Sequence, residues 1–479
     1  MKKASLWVLI WATLCCFSFR TFASDEAIRQ FVSNPHFKHA SIGFSLVRLS
    51  DGAVVASYDE ERALAPASTL KVLTTATVLS LLPASDQLRT TVGYRGVITP
   101  DGVLQGDLIV RGQGDPSLAS KYSTLPTSAF FEAVCASLQK LGIHSIQGRL
   151  LADETYLSSQ GIPPGWNWED MGNYYAAGVY GLNYADNTFT LTLNTHPKGQ
   201  QPRVKHVLPQ VDDLVIENGL ETYATPFDSA YLYGAPFQTT RFLFGALPHK
   251  QATFSIRGDM PEPPLQLIQN LRDFLRHKGF TIDVSCFSAR MVEQQGLAFP
   301  KDEHLVYTHR GDRLDYLARQ TNVYSLNLYA EALLRWVGKD LAVSKGVTNE
   351  QGVNRVLAYW KQRGLDTSGL FLQDGSGLSE SNRITASFMT DLLYTMQDHP
   401  PFVHSLPLVG KEGTVKHFLA QTKYAGIGRI KSGSISQVLA YAGYLTPDYA
   451  VAIFVNNATG STRHTRAAIE KLLMNIELK

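Results

Sequence analysis

Along this chain the spacing of apolar positions changes twice, from mixed sheet and helix to short strands and back again. Residues 41–49 and 53–58 alternate or run apolar on either side of Ser50-Asp51-Gly52, which predicts a β-hairpin behind a short helix over 26–33. Residues 70–82 then carry apolar side chains at helical spacing, beginning directly after Pro66-Ala67-Ser68. From about residue 89 short strand-like runs dominate, at 91–98, 106–111, 149–151 and 188–193. Two amphipathic helices, 130–141 and 265–278, each lead into a Gly and a strand, which suggests a weakly duplicated unit. Pro- and Gly-rich stretches at 162–166 and 261–264 mark loops. Long helical spacings return at 314–336, 352–362 and 387–396. A strand at 428–435, a hairpin of 441–445 with 450–455, and a helix over 466–477 close the chain. The pattern predicts one α+β domain, built from 24–88 and 301–479, interrupted by a β-rich insertion over 89–300 in two subdomains.

The longest apolar run lies at the start. Lys2 and Lys3 precede residues 4–19, and Thr21-Phe22-Ala23 gives a small-x-small site ahead of Ser24. This is the pattern of a secretory signal peptide over 1–23, with Arg20 as its one oddity. Neither Cys15 nor Cys16 follows the small residue that a lipoprotein signal needs. Cleavage removes Lys2, Lys3 and Arg20 and turns the net charge from +2 to −1. No basic excess remains to serve nucleic acid, and a single apolar run excludes a multi-span membrane protein. Cys135 and Cys286 are left as either a disulfide or two buried thiols. At 44% hydrophobic and 18% charged, the 479 residues are neither disordered nor coiled coil. His36 and His39 are only two candidate ligands in a loop, so no metal or cofactor is expected.

Three short motifs carry candidate chemistry. Ser68-Thr69-Leu70-Lys71 opens a helix, where a spacing of three sets the amine beside the hydroxyl. A serine hydroxyl is a poor nucleophile until a neighbouring base takes its proton. Ser137-Leu138-Gln139-Lys140 repeats the spacing inside an amphipathic helix and reads as chance. Ser325-Leu326-Asn327 falls at a break in the 314–336 helical region, and Lys431-Ser432-Gly433-Ser434 lies on the strand before the last hairpin.

In that order and setting the three motifs resemble the triple signature of serine penicillin-recognising enzymes. The 257 residues from Ser68 to Ser325 are far more than a simple β-lactamase has. The whole mature chain is similar to the class C low-molecular-mass penicillin-binding proteins. Gly106-Asp107-Leu108, Gly114-Asp115-Pro116-Ser117, Pro164-Gly165-Trp166 and Asp374-Gly375-Ser376-Gly377-Leu378-Ser379 add to the likeness. The resemblance implies a β-lactamase-like fold, an antiparallel sheet flanked by helices, and a periplasmic D-Ala-D-Ala carboxypeptidase/endopeptidase that needs no cofactor. Its partners would be peptidoglycan stem peptides and inhibitory β-lactams, with no nucleic acid, at most peripheral membrane contact, and room for a homodimer.

By the same resemblance Ser68 is the nucleophile and Lys71 its base, its proton affinity lowered by burial or by a nearby cation, for which Lys431 is a candidate. Ser325 relays the proton, and Asn327 holds Lys71 and the substrate. The backbone N–H groups of Ser68 and Ser434 would form the oxyanion hole. Lys431 with Ser432 would receive the terminal carboxylate, and Gly433 would be a further substrate-binding residue. Asp153 is similar to an acid that would read the free amine of diaminopimelate. Ser432 stands where Thr is usual, Leu326 where Asp is common, and Glu380 where relatives carry Arg. Two rivals remain. A class A-like β-lactamase would need a deacylating Glu-x-x-Leu-Asn that Glu331 and its neighbours do not supply. A non-catalytic wall-binding relative would have lost part of the polar set.

Overall fold

The structure is a computed structural model that describes residues 24–195, 199–224, 228–341 and 346–478. The expected signal peptide, 1–23, lies outside the described residues.

Five antiparallel strands form the central sheet, in the order Arg429–Ile435, Val438–Thr446, Tyr449–Asn456, Ser41–Arg48, Val54–Tyr58. The predicted hairpin is its outer edge, pairing Phe44 with Tyr58. Side chains alternate across a strand, so each central strand feeds two cores. Ala440, Ala442, Ala450 and Ala452 face one way, and these small residues admit the helix Ala386–Met396 close to the sheet. Leu439, Tyr441, Val451, Ile453 and Val455 face the other way, against the N-terminal helix 24–32 and the last helix, Thr462–Asn475. This is the α+β, penicillin-recognising architecture that the motifs imply. Among the described residues no helix is long and apolar enough to cross a membrane.

The insertion carries a seven-stranded mixed sheet and two three-stranded sheets. One apolar cluster runs from Val92 through Phe189 and Leu243 to Ile282, across these sheets. The strand His304–Arg313 pairs antiparallel with Gln87–Ile98. That pairing ties the segment just after residue 300 to the start of the expected insertion.

The echo between the two helices is real. Ala129–Lys140 leads to strands Ser145–Gln147 and Arg149–Asp153, and Pro263–His277 leads to Thr281–Ile282 and Ser285–Ser288. Equivalent strands pair in parallel, Ser145 with Thr281 and Arg149 with Ser285. Cys135 and Cys286 are free thiols packed in this region, and burial pushes Cys286 up to about 11.

Candidate active site

Ser68 occupies the corner where the chain enters its helix. Ala67 is held at φ 46°, and a 3-10 turn over Ala67–Thr69 runs into the helix Leu70–Leu81. A left-handed residue with a Cβ costs about 1–2 kcal/mol, so the surroundings must hold it. Thr69 Oγ1 donates to the Pro66 carbonyl at 2.6 Å. Gly377 presses on the Ala67 carbonyl so closely that a Cβ there would stand 1.9 Å from that oxygen. The turn thus places Ser68 Oγ where Lys71 Nζ reaches it at 2.9 Å.

The second motif is also a corner. The helix Leu314–Tyr324 ends at Ser325, which is left-handed at φ 59° and ψ 43°, and Asn327–Val337 starts a new helix. Apolar spacing runs through the corner, which is why it reads as one broken helical region. On the third motif, strand alternation puts Lys431 and Gly433 on one face. A Cβ on Gly433 would stand 2.7 Å from the Pro66 carbonyl and 2.9 Å from the Ser68 nitrogen, so glycine lets this strand close on the Ser68 turn.

The polar set meets as the spacing implies. Lys71 Nζ, fully buried, donates to Ser68 Oγ, to Asn327 Oδ1 at 2.7 Å and to the Ser376 carbonyl at 2.6 Å. Lys431 Nζ donates to Ser325 Oγ at 3.0 Å and to the Ser432 carbonyl at 2.5 Å. Ser432 Oγ donates to Thr414 Oγ1 at 2.7 Å, and Ser434 lines the cleft beside Ser68.

Burial lowers Lys71 to about 7, against the pull of Asp374 and Glu331, which favour its charged form. Burial and the charge of Lys71 drive Lys431 well below its ordinary value. Of the two expected causes, burial is the one that lowers Lys71, and it is Lys431 that yields to the charge of Lys71.

Beneath the motifs lies a layer that motif reading missed. Asp374 accepts from the backbone N–H groups of Gly377 and Ser379, both at 2.7 Å, and from Asn382 Nδ2 and Trp166 Nε1, both at 2.9 Å. It folds the Asp374–Ser379 stretch so that the Ser376 carbonyl meets Lys71. That stretch shows up in the sequence only as family likeness. Asp374→Ala strands these buried donors at about 1–3 kcal/mol each. Urea unfolding should show a loss of more than about 3 kcal/mol.

The insertion closes the site. Asn327 Nδ2 donates to the Tyr175 carbonyl at 2.8 Å, which pins the second motif to an insertion loop. A cleft of about 1080 Å³ opens over Ser68, Ser325, Asn327 and Ser434, and its lining includes Glu169, Asp170, Tyr174, Arg257 and Glu380. Burial raises Asp170, and Glu169 and Glu380 add to the rise. Asp153 is not in this lining. Its carboxylate is taken by Arg111, its neighbour in strand register, and by the Thr155 N–H and hydroxyl. The acids lining the cleft are Glu169, Asp170, Asp186 and Glu380, and Asp153 is not among them. The chance motif is equally clear: Ser137 Oγ donates to the Ala133 carbonyl, and Lys140 is exposed.

The D-Ala-D-Ala carboxypeptidase 3 (S13) family model matches residues 24–476. A D-alanyl-D-alanine carboxypeptidase of Actinomadura sp. (strain R39) is 26% identical over 436 residues, covering 88% of this chain and 78% of the relative. D-alanyl-D-alanine carboxypeptidase DacB of Haemophilus influenzae is 24% identical over 428 residues, covering 88% and 83%. In fold the chain is similar to the crystal structure of penicillin binding protein 4 (dacB) from Haemophilus influenzae. The TM-score is 0.78 at 21% identity, over 92% of this chain and 96% of that one. A family model spanning nearly all described residues, over a site with these contacts, places the chain among serine peptidases: it belongs to the D-Ala-D-Ala carboxypeptidase 3 (S13) family.

Proposed function

We propose that this protein is a periplasmic DD-peptidase that cleaves peptidoglycan stem peptides through an acyl-enzyme on Ser68. The observation that carries the reading is the fully buried Lys71 Nζ, 2.9 Å from Ser68 Oγ, with a proton affinity near neutrality. Ser68 Oγ attacks the carbonyl of the penultimate D-Ala while Lys71 takes the hydroxyl proton. The backbone N–H groups of Ser68 and Ser434 would receive the oxyanion, each such donor being worth about 3–4 kcal/mol in the transition state. Ser325, bonded to Lys431, gives its proton to the leaving amine and is reprotonated at the expense of Lys71, which is neutral again as the C–N bond breaks. Water then attacks the ester, frees the shortened peptide as its acid and returns the proton to Ser68. Lys431 and Ser432 would take the terminal carboxylate, and Gly433 leaves room for the strand to approach. A β-lactam would stop at the ester, as an inhibitor.

The leaving group is the terminal D-Ala in the carboxypeptidase reaction and meso-diaminopimelate of a neighbouring strand in the endopeptidase reaction. The cleft lining carries both signs, with Glu169, Asp170 and Glu380 against Arg257, which rests 3.7 Å from the Tyr174 ring centre. Such a lining suits a side chain that ends in an amine and a carboxylate. The test is product analysis on purified muropeptides. Monomeric pentapeptide should lose D-Ala and cross-linked dimer should fall to monomers, both reactions ceasing in Ser68→Ala. Turnover that survives that substitution would remove the reading, and rapid nitrocefin hydrolysis would favour a β-lactamase.

A further inference from the structure

Glu331 lies one turn after Asn327 on the helix Asn327–Val337, with its carboxylate fully buried. Oε1 accepts two backbone N–H groups, from Gly375 at 3.0 Å and from Ser376 at 2.8 Å. The Gly375 carbonyl is held from the opposite side by Thr74 Oγ1 at 2.6 Å. Clamped between these two contacts, the 375–376 segment presents the Ser376 carbonyl to Lys71 Nζ at 2.6 Å.

The second oxygen is the unusual one. Oε2 is buried without a hydrogen bond, and Arg335 Nη1 stands 3.6 Å away, too far to make one. The guanidinium is held off by the carbonyls of Glu331 itself, Gln160 and Gly161, at 3.3–3.4 Å. A neutral glutamine could supply the oxygen that both N–H groups need, so hydrogen bonding alone does not call for a carboxylate. Burial and the neighbouring Asp374 raise Glu331 to about 7, against the pull of Arg335 and the two N–H donors, so it carries its charge from about neutral pH upward.

We propose that Glu331 is a positioning residue for acylation: it aims the Ser376 carbonyl at Lys71 and supplies buried negative charge facing the general base. The proposal rests on the acyl-enzyme reading of Ser68. Groups facing the base come from every element around it: Asp374 and Ser376 on the loop, Lys431 on the strand, Ser325, Asn327 and Glu331 at the helix corner. Arg335, under the influence of Tyr180 from the insertion, lies behind Glu331. Glu331 and Asp374 are the two groups that favour the charged form of Lys71. Removing the charge of Glu331 therefore makes the ammonium easier to deprotonate, and the neutral base becomes available at lower pH.

The test is the pH profile of Ser68 acylation by benzylpenicillin in the full chain. In Glu331→Gln the acid limb should move to lower pH by about half a unit or more. The plateau should stay within about threefold of wild type, because the amide oxygen still meets both N–H groups. Glu331→Asp keeps the charge but is too short to reach both donors, so its limb should stay and its plateau fall about tenfold. A purely structural role would lower the melting temperature of both variants without separating limb from plateau. Superimposable limbs for wild type and Glu331→Gln, or a wild-type plateau in Glu331→Asp, would overturn the proposal. If Glu331→Gln does not fold, the Asp variant decides. Absence of an adduct in the wild-type chain would instead count against the acyl-enzyme reading.

Discussion

Lys71→Met should leave a folded protein whose Ser68 acylates about 10²–10⁴-fold more slowly than wild type, the range over which a positioned general base contributes. Met keeps most of the buried volume, so lost packing would not explain the deficit. Stopped-flow acylation by benzylpenicillin measures it, with circular dichroism as the check on folding. The same amine fixes the pH dependence. Lys71 accepts a proton only when neutral, and burial brings it to about 7, so acylation should rise as pH increases through about 7. In Lys71→Met that limb should vanish along with the rate. A variant with an unshifted limb and near-normal rate would mean that another group takes the proton of Ser68.

Gly433→Ala should be nearly as damaging, for a reason of space. The added Cβ would meet three backbone atoms, the Pro66 oxygen at 2.7 Å, the Thr69 nitrogen at 2.8 Å and the Ser68 nitrogen at 2.9 Å. Backbone cannot swing aside like the end of a side chain, so the strand must retreat from the nucleophile turn. That displaces Ser434 relative to Ser68, and misplacing an oxyanion donor costs about 10²–10³ in rate. Stability should fall only by the about 1–3 kcal/mol typical of an overpacked site. A loss in stability with acylation intact would show that the two backbone N–H groups do not act as a pair.

What the sequence reveals follows from how local each constraint is. The three motifs are legible because each is confined to a few residues at an element boundary. The left-handed corner at Ser325 and the close approach at Gly433 explain those boundaries afterwards. The last hairpin shows as two apolar runs, 441–445 and 450–455, but which of its faces meets which core does not. Contacts between distant residues are another matter. Asp153 looks like a loop acid following a strand, and only the register opposite Arg111 reveals that its charge is already taken. The support of Lys71 by Asp374 and Glu331 joins a loop to a helix across more than forty residues, with no spacing rule to announce it. The strand at 304–313 pairs across about two hundred residues with 87–98, which no local spacing announces.

The most direct measurement is intact-protein mass spectrometry after incubation with benzylpenicillin, followed by peptide mapping. The account predicts one covalent adduct, on the peptide containing Ser68, and none in the Ser68→Ala chain. A wild-type chain that stays unmodified, or a Ser68→Ala chain that still acquires the adduct, would contradict it.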